Sequence, residues 1–499
     1  MKKELSEKTF YIENLGCAKN QVDAETIIKS LTGRGWVYSP ADTAAMIIIN
    51  TCGFIKPAKE ESIQTLISFR QQYPDRKIVL AGCLAQRYGK DLASSLPEAD
   101  AIFGNRFPEK IALVADDFIN GRKKLYIPDK KSGSLPPGGI KDSDATAAGS
   151  AGSGADNKTG TETEIDSAPV KSRDGSGSGF SPAHGSGSRI SLSFPGSTYV
   201  KIAEGCNNNC TYCAIPLIRG PLESRDENGI IEEIKELADT GFNEINLIAQ
   251  DLASFGNDRG KANGRGSSLL TLLEKISLIK GEFWIRLLYM HPDKFDREIY
   301  SIMKEDRRIL PYFDIPFQHA SERILSRMGR KGNFESYLDL VEDIRGNIKD
   351  AVIRSTFLLG FPGETTADFR QLTDFIKQAR LDWAGFFQFS REEGTPAEKM
   401  GKGLSDFILS RKTPKRISIL KALQTSISEE NLEKYTGMEL DILAEERIEG
   451  EEIVLGRGYL NAPDIDGAVI IHSSDVVPGN MVKCRITRRN NLDLEAVPL

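Results

Sequence analysis

The sequence predicts an α/β protein in three folded units: an N-terminal parallel α/β domain, a run of βα units that forms a doubly wound sheet or a full or partial barrel, and a C-terminal small OB-like β-barrel. Three observations predict it. Strand-like apolar runs alternate with amphipathic helical stretches from Thr9 to about Asn120, and again from Thr198 to about Ser390. That alternation is the pattern of parallel sheets flanked by helices. A tract nearly devoid of core-forming residues separates the two regions, and five short strand-like runs close the chain.

In the first unit, placed at 8–125, "TFYIENLGC", "AAMIIINTC", "RKIVLAGC" and "ADAIFG" read as strands with helices between them. The tract 128–196 contains "SGSLPPGGIKDSDATAAGSAGSGADNKTGTETE". It is expected to be a disordered low-complexity linker, because it cannot bury enough apolar surface to offset its ordering entropy. The second unit, 197–430, offers six strands: "TYVKIAEG", "NEINLIAQD", "FWIRLLYMHP", "YFDIPFQH", "AVIRSTFLLGFP" and "WAGFFQFS". Helical patterns such as "IIEEIKELADTG" and "TADFRQLTDFIKQARL" separate them. Repeated βα units place chemistry at the C-terminal strand ends. A helical passage near 406–434 leads to the last unit, 435–499, where "MELDILAEER", "EEIVLGRGYL", "GAVIIHS", "MVKCRITRR" and "DLEAVPL" suit a small barrel.

The 499 residues are 39% hydrophobic, enough for several cores, and the formal charge of −6 argues against a generally basic nucleic-acid binder. No run of eighteen apolar residues is present, so no membrane span is expected. The N-terminus lacks the apolar region of a signal peptide, which makes a cytoplasmic location the expectation. Thiols there stay reduced and serve metals or chemistry more often than disulfides.

"CNNNCTYC" places Cys206, Cys210 and Cys213 directly after the first barrel strand, on the face where such folds carry their chemistry. Structural zinc takes four protein ligands, yet the next cysteine is Cys484 and the nearest histidines in sequence are His184 and His291. A cluster held by three cysteines leaves one iron open for a small molecule. Zinc with a distant ligand and incidental cysteines are the alternatives. Cys17, Cys52 and Cys83 are too far apart for a local motif, but each ends a strand of the first unit. In an open parallel sheet those ends share one edge beside helix N-termini, which suit anionic thiolates. They read as ligands of a second three-cysteine cluster, or else as buried core thiols.

The C-x3-C-x2-C spacing, with Tyr212 before its last cysteine, resembles the radical S-adenosylmethionine superfamily. That resemblance implies a partial (β/α)6 barrel, in agreement with the six strands counted, a 4Fe–4S cluster on Cys206, Cys210 and Cys213, an open iron that binds S-adenosylmethionine, and reductive formation of a 5′-deoxyadenosyl radical. "LGFPGE" is placed like the family's cofactor-cradling turn, which implies contacts from Gly360, Gly363 and Glu364. A bare strand-to-helix turn explains the same residues. The full order, a three-cysteine α/β domain, a radical SAM barrel and a small β-barrel, is similar to the methylthiotransferases, whose last module is the TRAM domain. The family implies two 4Fe–4S clusters, with the one on Cys17, Cys52 and Cys83 carrying sulfur. It also implies S-adenosylmethionine as both methyl donor and radical source, and an electron donor as partner.

One branch of that family modifies an adenosine in tRNA, and another the β-carbon of an aspartate in a small-subunit ribosomal protein. "LGCAKNQVDAE", "LIAQDLASFG", "ILPYFDIPFQHAS" and "RSTFLLGFPGET" resemble the ribosomal-protein branch. The tRNA branch, the alternative, typically has a Gln-Met pair where this chain has Ala18 and Lys19. Charge points the same way: from Tyr435 onward twelve acidic residues face six basic ones. That balance opposes stable nucleic-acid binding and suits a basic ribosomal protein. "RITRRNN" is the one basic patch, explained equally by an exposed strand end. His291 reads as a strand-end turn, His319 as either a site contact or packing, and Cys484 as a buried thiol.

Overall fold

The computed structural model describes residues 8–122, 124–128, 183–184, 190–259, 268–401 and 403–499. The first unit runs β1 Thr9–Asn14, α1 Ala18–Thr32, β2 Val37–Tyr38, β3 Met46–Thr51, α2 Lys56–Gln72, β4 Lys77–Ala81, α3 Gly82–Ser95, β5 Ala101–Gly104, α4 Ile111–Ile119 and β6 Leu125–Tyr126. Its sheet has the order β2-β1-β3-β4-β5-β6 with every pair parallel. The central strand "MIIINT" is buried throughout. Successive strand residues point to opposite faces, so Ile48 joins one helix-covered core while Ile47 and Ile49 join the other.

Most of the expected linker, residues 129–182 and 185–189, lies outside the described residues. Its end does not. β7 Ala183–His184 pairs antiparallel with β8 Ile190–Ser191. Ser191 and Ser193 are buried, the Leu192 amide donates to Glu25 at 2.9 Å, and Gln21 donates to Ser193 Oγ at 2.6 Å. Residues 190–196 are therefore docked on α1 by polar contacts that a composition count does not register.

The barrel carries β9 Ser197–Lys201, β10 Ala203–Glu204, α5 Ile215–Ile218, β11 Glu223–Ser224, α6 Glu227–Asp239, β12 Glu244–Ile248, α7 Leu269–Ser277, β13 Trp284–Leu288, α8 Ile299–Glu305, β14 Tyr312–Asp314, α9 Glu322–Arg327, α10 Phe334–Asn347, β15 Val352–Leu359, α11 Thr366–Ala379 and β16 Trp383–Gln388. Strands β9, β12 and β13 form one parallel sheet, and β14, β15 and β16 another. A bridge from Ile285 to Ile309 and the Met290 amide on the Asp314 carbonyl (2.9 Å) join the two. Among the described residues β9 and β16 do not pair, so the six strands form an open barrel. α12 Leu404–Glu433 then leads to the final unit.

That unit is a closed barrel of β17 Glu439–Arg447, β18 Ile453–Arg457, β19 Val469–His472, β20 Met481–Asn490 and β21 Asp493–Pro498, in the order β17-β18-β19-β21-β20. It packs on the starts of the larger barrel's strands. Glu244, the first residue of β12, takes Arg286 at 2.9 Å and Arg457 at 2.5 Å. Trp383 donates to the Leu460 carbonyl at 2.8 Å, and the Tyr312 hydroxyl donates to Asp466 at 2.5 Å. Capping the strand starts leaves the opposite, C-terminal strand ends for chemistry. No helix among the described residues is long and apolar enough to cross a membrane.

Candidate functional site

The barrel cysteines sit on a loop that folds back on itself. Gly205 has φ +67°, and a Cβ there would stand 2.0 Å from the Pro221 carbonyl; only glycine fits. The Cys206 amide donates to Gly220 O at 3.1 Å, and the Cys213 amide to Cys210 O at 3.1 Å. Backbone amides also point at sulfur: Asn208 N lies 3.4 Å from Cys206 Sγ and Ile215 N 3.5 Å from Cys213 Sγ. Burial pushes the free Cys213 thiol up to about 12 and raises Cys206 as well. A metal displaces that proton when it binds.

Tyr212 packs against Ile324, Met328, Phe361 and Ala397, which ties the cysteine loop to the turn after β15. In that turn Gly360 and Gly363 have φ of +76° and +85°. Glu364 accepts the Gly360 amide at 2.6 Å through one oxygen and pairs with Arg416 through the other. Both carboxylate oxygens of Glu364 thus brace the turn, and its burial raises the carboxyl.

Cys17, Cys52 and Cys83 end β1, β3 and β4 in space as in sequence. Cys17 caps α1, Cys52 stands just before α2, and Cys83 lies in the first turn of α3. Cys17 and Cys83 thus stand at helix N-termini, whose amide dipoles favour thiolates. Gly16, with φ +95°, passes so close that a Cβ would be 3.0 Å from Cys52 Cβ. Burial drives the free Cys52 and Cys83 thiols up to about 12 and about 11, with the neighbouring cysteines adding to both. Asn105 and Arg219 donate to Cys83 Sγ at 3.2 and 3.3 Å.

Among the described residues no three His, Cys, Asp or Glu side chains close on one point as a lone metal ion requires. Each triad instead holds thiols near one another with N–H donors on sulfur. This donor set fits an iron–sulfur cluster, whose thiolates such hydrogen bonds stabilise.

The first unit meets the barrel's cysteine loop at Cys83. Cys83 packs with Ala214 and Ile218, the residues that follow Cys213. Next to them Arg219 donates to Asn20 at 2.8 Å, Asp23 at 2.9 Å and Glu204 at 3.0 Å. Lys201 completes the group, 2.6 Å from Asp23 and 2.5 Å from Glu204. Sequence reasoning missed these four charged residues. The available signal was weak: Arg219 follows the last cysteine by six positions, and Asp23 lies on α1 after Cys17.

The other candidates resolve simply. His291 is a turn residue whose Nδ1 accepts the Asp293 amide at 3.2 Å, and burial lowers it to about 4. His319 is fully buried, its Nδ1 accepts the Ala320 and Ser321 amides at 2.9 Å each, and burial also lowers it to about 4. Cys484 is a buried barrel thiol. His184 has no described side chain. The basic strand β20 is neutralised, with Arg485 on Glu439, Arg488 on Glu495 and Arg489 on Glu429 and Glu433.

An open six-stranded barrel with a three-cysteine loop at its mouth, packed on Cys83 of a parallel α/β domain, is the architecture of a radical S-adenosylmethionine methylthiotransferase. Residues 9–104 match the uncharacterized protein family UPF0004, 200–376 the radical SAM superfamily and 436–499 the TRAM domain. A protein of Treponema denticola, "Ribosomal protein uS12 methylthiotransferase RimO", is 40% identical over 97% of this chain and 99% of its own length. The protein of that name from Carboxydothermus hydrogenoformans is 36% identical over 97% and 98%. The chain belongs to the RimO family of ribosomal protein uS12 methylthiotransferases. A solved structure of TsrM, a radical S-adenosylmethionine methyltransferase from Kitasatospora setae, shares the fold at TM-score 0.50 and 14% identity, over 89% of this chain and 79% of that one.

Proposed function

We propose that this chain methylthiolates ribosomal protein uS12, turning a C–H bond on the β-carbon of an aspartate into C–S–CH3. The observation that carries the reading is the junction: Cys83 of one triad packs on Ala214 and Ile218 of the other's loop. Cys206, Cys210 and Cys213 hold one 4Fe–4S cluster and Cys17, Cys52 and Cys83 a second. When bound, these groups supply reductive cleavage of S-adenosylmethionine and a site for the transferred sulfur, with electrons from an external donor. Tyr212, Gly360 and Gly363 shape the cofactor pocket, and Glu364 keeps its turn rigid through Gly360 and Arg416.

A basic protein suits this surface better than RNA. The β20 arginines are paired, whereas Glu446, Glu449, Glu451 and Glu452 are exposed in and beside the β17–β18 turn. Such an acidic tip steers a basic partner and repels phosphate. Mass spectrometry of uS12 and of tRNA from a deletion strain tests the reading. The methylthio group should vanish from uS12 alone; its persistence there, with loss from tRNA, would overturn the assignment.

A further inference from the structure

Several buried cations among the described residues are paired with carboxylates, while Arg330 is held by the Pro316 carbonyl. Arg219 has Asp23, Lys201 has Asp23 and Glu204, Arg286 has Glu244, and Arg354 has Asp314. Lys19 has neither a carboxylate nor a carbonyl within hydrogen-bond distance among the described residues. It lies in the first turn of α1, two residues after Cys17, and is only 7% exposed. Among the described residues its ammonium has one close partner, the Tyr289 ring, 3.0 Å from the centroid. The nearby carboxylate of Asp314 is already held by Arg354 at 3.0 Å and by the Tyr289 amide at 3.1 Å. Tyr289 follows β13 in a left-handed conformation, φ +71°, rare for a residue with a side chain. The ammonium is thus held beside Cys17, where the first cysteine triad meets the mouth of the barrel, desolvated and without a carboxylate of its own. A ring face offsets only part of that cost.

We infer that Lys19 is a specificity-determining residue that receives the carboxylate of the target aspartate. This rests on the reading of uS12 as substrate. The β-carbon to be modified is one bond from that carboxylate carbon. A salt link to Lys19 therefore sets the β-carbon beside Cys17 and across from the barrel's cysteine loop. An amide or a purine offers no full negative charge and leaves the buried ammonium unpaired, which is strong discrimination.

The test is a double-mutant cycle on binding. Reconstituted enzyme, as wild type, Lys19→Met or Lys19→Gln, is titrated with purified uS12 carrying either its target aspartate or asparagine there. Iron content and circular dichroism report folding. With wild type, the asparagine form should bind on the order of thirtyfold more weakly. With either Lys19 variant the preference should disappear, so that the two losses are not additive. Equal binding of both uS12 forms by wild type overturns the proposal without using any enzyme variant. Additive losses overturn it too, because they leave Lys19 a packing role only. If wild type neither binds nor modifies native uS12, the substrate reading itself has failed.

Discussion

Cys206, Cys210 and Cys213 occupy eight consecutive residues, whereas Cys17, Cys52 and Cys83 come from three separate strand ends. The first triad is arranged by its own loop: Gly205 allows the fold-back, and the Cys210–Cys213 turn closes it. The second exists only because β1, β3 and β4 are parallel neighbours whose C-terminal ends share an edge. One is a local device and the other a product of topology, yet both arrive at the same junction. The difference teaches that cysteines scattered along a sequence share one sheet edge once strand order is known.

The sharpest way to break the comparison is to remove the local triad. Changing Cys206, Cys210 and Cys213 together to alanine should cut bound iron from about eight to about four. Cleavage of S-adenosylmethionine should be abolished. Deoxyadenosine formation by that variant would refute the division of roles.

Removing the topological triad has a narrower effect. With Cys17, Cys52 and Cys83 all alanine, iron again falls to about four, but the barrel keeps its own ligands. Deoxyadenosine should still form while methylthiolated uS12 does not, as read by chromatography beside mass spectrometry. Normal product would place the sulfur source elsewhere.

The smallest expected effect lies between the triads. Arg219, 3% exposed, links Asn20 and Asp23 of the first unit to Glu204 of the barrel. Arg219→Gln leaves Asp23, Glu204 and Lys201 as a buried group with excess negative charge, which costs about 3 kcal/mol. The thermal transition should fall while iron stays near its wild-type content, since no ligand is lost. An unchanged transition would show that apolar packing alone holds the junction.

The barrel loop was legible because cysteine spacing and a preceding strand are both local. The six barrel strands and the five of the small barrel were legible for the same reason: periodicity and turn residues act over a few positions. Residues 190–196 were not. Ser191 and Ser193 look like linker in composition, and only their hydrogen-bond partners on α1 make them part of the fold. Glu364 was placed correctly at its turn, but its bracing role depends on Arg416, far along the chain.

By itself the sequence determined the order of the three units, the spacing of the cysteines and the family they point to. Those features follow from side-chain type and short-range spacing, which survive translation into any register of the same elements. The tertiary structure alone decided how the units meet. It set Arg219 against Cys83, paired every arginine of β20 with a carboxylate, and left the Lys19 ammonium over Tyr289 without one. Charge partners are chosen by distance in space, and Coulomb energy inside a dry interior grows too steeply with proximity for composition to anticipate it.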